Sequence, residues 1–159
     1  MNKEHSSHAM PNHYPRLLGM GLLSFVAMYA LMYAMVDAVG NVYTNVNQFY
    51  MAGLMTAPMI IIEVWLMNVM YSRKRLNALI ISGAVVGGLI LFTLIRQQTG
   101  VGDRQFLRSM IPHHASALLM CEQAAIEDPD IKELCGSILS SQEEQIDAMK
   151  AKLLELDGQ

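Results

Sequence analysis

The sequence predicts an all-α protein: three transmembrane helices, then an amphipathic helical hairpin that dimerises into a four-helix bundle. Three observations carry this expectation. The 159 residues are 53% hydrophobic, more than one small soluble domain can bury, and most of the apolar residues fall into three long runs. After the third run the pattern changes to apolar residues three and four apart, the mark of amphipathic helices. A hairpin of this length cannot cover its own apolar stripe, so two copies are expected to pair. The net charge is −3 and there is no basic stripe, which points away from a nucleic-acid partner.

Residues 1–15 form a polar tail containing His5, His8 and His13. Such a tract can collect metal or remain unstructured. It lacks the features of a cleaved signal peptide, so it is expected to be retained. The membrane region is expected over 16–96. Its first span, Leu17 to Val36, contains no charge and is long enough to cross a hydrocarbon layer of ~30 Å at ~1.5 Å per residue. An Asn-rich connection without Lys or Arg leads to the second span, Tyr50 to Tyr71, interrupted by Glu63 and Asn68. The third span is Leu76 to Ile95. Between the last two lies Arg73-Lys74-Arg75, which by the positive-inside rule faces the cytoplasm. That choice puts the N-terminal tail inside and everything after Arg96 outside. The expected location is a bacterial inner membrane with a periplasmic hairpin. Gly83-x-x-x-Gly87, extended by Gly88, is a common arrangement for close helix association in membranes.

Gly100 and Gly102 suggest a flexible joint within a 97–102 linker. The hairpin domain is expected over 103–157, with Asp103 as N-cap of its first helix. Pro112 inside that helix removes a backbone donor, so the helix should bend or restart there and free a carbonyl. Glu127-Asp128-Pro129-Asp130 reads as the turn, with Asp130 capping the second helix and Glu133 completing a capping box. Folding the hairpin about Asp128 sets His114 level with Gln142, Met110 with Ile146 and Leu107 with Met149. It also levels Cys121 with Cys135. A disulfide, a pair of thiol ligands and two small buried residues are all compatible with that placement.

Chemistry concentrates at Met110-Ile111-Pro112-His113-His114. On a helix Met110, His113 and His114 share one side. Imidazole nitrogen beside thioether sulfur suits copper, above all Cu(I), better than oxygen-seeking ions. Methionine, at 14 residues, is in excess, which fits either soft-metal chemistry or adaptable packing. Met28, Met32 and Met35 on the first span and Met51, Met55, Met59 and Met67 on the second could form a thioether ladder with Glu63 in its midst. Membrane packing accounts for them more simply.

The pattern Asp103-x-x-Phe106-x-x-x-Met110-Ile-Pro-His113-His114-x-x-Ala117-x-x-Met120, followed by Ile138-x-x-x-Gln142-x-x-Gln145-Ile146-x-x-Met149, resembles domain-of-unknown-function family 305 over Asp103 to about Leu154. That family is copper-associated and belongs to the ferritin-like superfamily. The resemblance implies a ferritin-like bundle, a role in copper binding and tolerance, and Met110, His113, His114, Met120 and Met149 as metal ligands. Many relatives carry two hairpins where this chain has one, which again implies a dimer. Gln145 stands where the family usually has Glu.

A membrane-anchored copper-binding protein for storage, buffering or delivery is therefore expected. Cu(I) is the favoured ion, Ag(I) an equally soft competitor, and a copper exporter or chaperone a conceivable partner besides lipid and a second copy. The alternatives are a metal-free interaction module on a membrane anchor and a subunit of a metal transporter. No enzyme is expected. A di-iron oxidase would need Glu-x-x-His where this chain has Met110-x-x-His113, and no carboxylate adjoins the His pair.

Overall fold

The structure, a computed structural model, describes residues 13–158. The tail histidines His5 and His8 lie outside these residues, whereas His13 occupies the N-cap of the first helix. Five α-helices follow in order: α1 Tyr14–Leu31, α2 Val46–Leu66, α3 Lys74–Gln97, α4 Asp103–Gln123 and α5 Pro129–Asp157. A single 3-10 turn, Val39–Asn41, interrupts the connection between α1 and α2. Helices α1, α2 and α3 are long and apolar enough to cross a membrane. Few of their side chains are buried within the chain itself, and Leu18, Leu23, Trp65 and Leu79 stand well exposed. Surface of this composition is stable only against lipid or another chain.

Helix α2 packs against both α1 and α3. Glycines allow close approaches between α2 and α3. A Cβ on Gly53 would meet Leu91 Cδ1 at 2.8 Å, and one on Gly88 would meet Ala57 Cβ at 3.4 Å. Gly88 is thus used inside the chain, while Gly83 and Gly87 face open space. Glu63 accepts a hydrogen bond of 3.4 Å from the Tyr71 hydroxyl. The Asn68 amide donates to the carbonyl of Trp65.

Element boundaries depart from the sequence expectation where side chains rather than apolarity decide them. The first span, expected over 17–36, is α-helical only to Leu31. Beyond it the chain tightens through Tyr33 N–H to Ala30 O, Ala34 N–H to Leu31 O and Val36 N–H to Tyr33 O. The Tyr33 hydroxyl then holds the returning strand of the connection at Tyr43 O, 2.9 Å away. The second span begins at Val46 rather than Tyr50, because Asn45 Oδ1 accepts from Gln48 N–H at 2.9 Å and caps the helix. It ends at Leu66, short of Tyr71. The third span is two residues longer at each end than 76–95.

Two capping expectations are likewise corrected. Gly102, not Asp103, is the N-cap of α4, and Asp103 sits in the first turn, where its charge favours the exposed N–H groups. For α5 the cap is Asp128, whose carboxylate accepts from Asp130 N–H at 2.9 Å and Ile131 N–H at 3.1 Å, with Pro129 following in the first turn. A proline supplies no N–H and fixes the helical φ, so the cap falls before it. Gly100, at φ +75°, and Gln98, at φ 50°, make the 97–102 linker a defined left-handed turn rather than a free joint.

Helices α4 and α5 form the expected hairpin. Its core is small: Ile111, Ala115 and Leu118 of α4 against Ile146 and Leu153 of α5, with Leu107, Leu139 and Met149 at its edge. Few side chains contribute the ~1.5–3 kcal/mol that full burial of a large apolar group yields. Three other features hold it. A disulfide joins Cys121 to Cys135 near the turn, with their Cα atoms 5.4 Å apart, within the range such bonds require. Its presence resolves the three sequence alternatives for the pair. At the open end Arg104 and Arg108 pair with Asp157, at 3.3 and 3.5 Å, and Arg104 also donates to Leu156 O. The third is the connection between α1 and α2, which packs Val36 and Tyr43 against the hairpin core.

Pro112 explains how α4 is seated on the spans. The helix continues through it, but a proline at this position leaves the carbonyl of Arg108, four residues earlier, without its helical donor. Asn45 Nδ2 donates to that carbonyl at 3.4 Å. Beside it Gln105 Oε1 accepts from Val46 N–H at 3.0 Å, and Asn47 Nδ2 donates to Ser109 Oγ at 3.4 Å. Polar groups buried at a junction stabilise it when paired and cost about 1–3 kcal/mol when orphaned. Asn45→Asp keeps the cap of α2 but deletes the amide that donates to Arg108 O and also to Tyr43 O and Gln48 Oε1, so it should lower thermal stability in detergent by about 1–3 kcal/mol. Unchanged unfolding would mean that the α2–α4 contact contributes nothing.

Candidate metal centre

Helix α4 presents two faces. Ile111, Ala115 and Leu118 point into the hairpin seam, while Met110 and His113 lie nearly one turn apart on the side toward the spans. There they line a cleft of about 310 Å³ between the hairpin and the ends of the apolar helices nearest to it. His113 is largely exposed and Met110 partly buried. The His113 and His114 rings are 6.0 Å apart, centroid to centroid, tilted at 60°.

His114 turns toward α5. Its Nδ1 is buried and has no hydrogen-bond partner among the described residues. Burial, and secondarily the charge that His113 can carry, hold its pKa below the ordinary histidine value, and the side chain of Gln142 works in the opposite direction. The ring is therefore neutral over a wider pH range than a free imidazole, and a neutral ring is the form that binds metal. Gln142 is the residue that counting back from Asp128 sets level with His114.

The five residues singled out in the sequence do not all meet in one place. Met110 and His113 share the cleft, His114 stands beside them at the hairpin seam, Met149 packs against the core, and Met120 is 52% exposed farther along α4. The sequence reading did not couple the hairpin to Met32 and Met51, which line the same cleft. Their signal was present: Met32 follows the end of α1 and Met51 lies near the start of α2, the same end of the apolar helices as the end of α3 from which the hairpin emerges.

The donor set fits a soft ion. Among the described residues no three of His, Cys, Asp and Glu converge, and the two cysteines are bonded to each other. What converges is thioether sulfur and the imidazole of His113, with the orphaned Nδ1 of His114 on the neighbouring hairpin face. Hard divalent ions need carboxylates or carbonyls in number, whereas Cu(I) is well served by sulfur and imidazole.

A helical hairpin clamped by a disulfide and seated on α2 and the α1–α2 connection, beside three apolar helices, defines the class of this protein. The chain belongs to the family described as domain of unknown function (DUF305), which matches residues 65–153. The match begins at the end of α2 and takes in all of α3, so it reaches well before Asp103. An uncharacterized protein, L153, of Acanthamoeba polyphaga mimivirus is 34% identical over 140 residues, covering 86% of this chain and 90% of that protein. An alignment of that length extends beyond the hairpin into the apolar helices. No solved structure matches the chain.

Proposed function

We propose that this protein is a membrane-anchored copper-binding protein that holds Cu(I) for storage, buffering or delivery, in the service of copper tolerance. The observation that carries the reading is the convergence of Met110 and His113 on one cleft, with the neutral His114 adjoining. His113 and Met110 would bind the ion directly and His114 would offer its free nitrogen. Bound copper supplies no reaction in this reading; the chain's residues select the ion by softness.

The hairpin is assigned to the outer side of the membrane. The basic loop Arg73 to Arg75 favours this orientation, and a disulfide between Cys121 and Cys135 suits an oxidising compartment. A ferritin-like dimer is the assembly we propose. Phe106, Met120, Ile131 and Leu134 of the hairpin are about half exposed, and Gly83 and Gly87 leave open space on α3 for a neighbouring helix.

Equilibrium dialysis of the full chain in detergent against Cu(I), Zn(II) and Fe(II) tests the proposal. Retention of Cu(I), with the other two washed out, is expected. Retention of Zn(II) or Fe(II) in preference to Cu(I) would overturn it.

A further inference from the structure

The cleft that receives Met110 and His113 is walled on its other side by the membrane helices. Met32, just past the end of α1, and Met51, in the second turn of α2, line it together with the α4 pair. Three thioethers and one imidazole, drawn from three helices, thus border one space. Its remaining polar lining is uncharged, coming from Asn45, Asn47, Gln48, Gln98, Ser109 and Ser116. Without a carboxylate the cleft has little to offer a hard dication, and without Lys or Arg it does not repel a cation. Its volume of about 310 Å³ exceeds that of a bare ion, but methionine turns about three bonds and can close such a gap.

The wall is held in place. Asn45 and Asn47, from the start of α2, bind α4 at Arg108 O and Ser109 Oγ, and Asn47 also donates to Gln98 Oε1 at 3.0 Å. These bonds fix the outer ends of α2 and α3 against the turn of α4 that carries Met110 and His113.

We infer that Met32 and Met51 are ligands of the metal site, so that Cu(I) is bound between the membrane anchor and the hairpin rather than within the hairpin alone. The inference rests on the copper reading and extends it. Metal binding then locks the hairpin onto the spans, and the ion is handed on or released where the protein meets the membrane surface. It also gives two methionines of the spans a role that packing alone does not require.

The test uses the full chain in detergent, loaded with Cu(I) under anaerobic conditions. Met32→Leu/Met51→Leu is close to volume-conserving, so the fold should be kept. Met35→Leu/Met55→Leu, which changes two exposed methionines that do not line the cleft, serves as control. In competition with a chromophoric chelator, the first variant should lose affinity by about tenfold or more, as expected for removal of metal contacts, and the control should match the wild type. Copper-edge X-ray absorption of the wild type should show a shell dominated by sulfur with an imidazole contribution, and the first variant should lose sulfur from it. Unchanged affinity and sulfur content in Met32→Leu/Met51→Leu would overturn the inference and leave a hairpin site standing. A wild-type shell with a single sulfur would overturn it even if the variant failed to fold. Absence of Cu(I) binding by the wild type would overturn the copper reading itself.

Discussion

His113→Ala/His114→Ala should weaken Cu(I) binding on the order of 100-fold or more. Loss of an outer-shell partner already costs about 10–100-fold at metal sites, and here the nitrogen donors themselves are removed. The single variants should differ. His113 lines the cleft beside Met110, so its loss should account for most of the effect. His114 lies against the hairpin seam with Gln142 across from it, so His114→Ala should also loosen the hairpin. Chelator competition reads the first effect and thermal unfolding of the metal-free protein reads the second. Equal affinities for the double variant and the wild type would move the site elsewhere.

Cys121→Ser/Cys135→Ser should destabilise the hairpin by about 3 kcal/mol. The bond closes a sequence separation of 14 residues, and loops of that size correspond to about 3 kcal/mol in the chain-entropy account. The effect should be large in consequence because the core it supports has so few buried side chains. Chemical denaturation of the variant, followed by a probe confined to α4 and α5, checks this. Because the bond lies near the turn and Met110 and His113 lie toward the spans, Cu(I) affinity of the folded variant should change little. Unaltered stability would show that core and docking contacts suffice without the clamp.

Much of this architecture could be read from residues alone, for physical reasons that differ from element to element. Long apolar runs identify α1, α2 and α3 because a run long and apolar enough to cross a bilayer stands out from any soluble pattern, and counting outward from Asp128 pairs His114 with Gln142 because antiparallel helices advance at equal rise. Ends were less legible. Asn45 starts α2 four residues early by capping it, and Asp128 displaces Asp130 as cap because Pro129 follows it. Least legible was the seating of the hairpin. Pro112 signals a freed carbonyl, but only the fold shows that Asn45, 63 residues away in sequence from Arg108, supplies its donor. For the same reason the cleft that joins Met32 and Met51 to Met110 and His113 cannot be seen in any one helix: it is made by three of them.

The family match leaves Met32 and Met51 outside it but joins α3 to the hairpin. It begins at residue 65 and ends at 153, so α3 and the hairpin fall within one matching stretch. A hairpin joined to α3 by a free tether would carry its chemistry away from the apolar helices. Here α4 lies against the ends of the spans and its Met and His face them.

The central claim is that this thioether and imidazole set holds Cu(I), and the measurement that tests it most directly is the dissociation constant of the full-length wild-type protein. Titration in detergent against a chromophoric Cu(I) chelator of known affinity, under anaerobic conditions, would give it. The protein should withdraw copper from the chelator at about one ion per chain, as one such cleft per chain implies. A chelator that keeps all its copper at every protein concentration would contradict it.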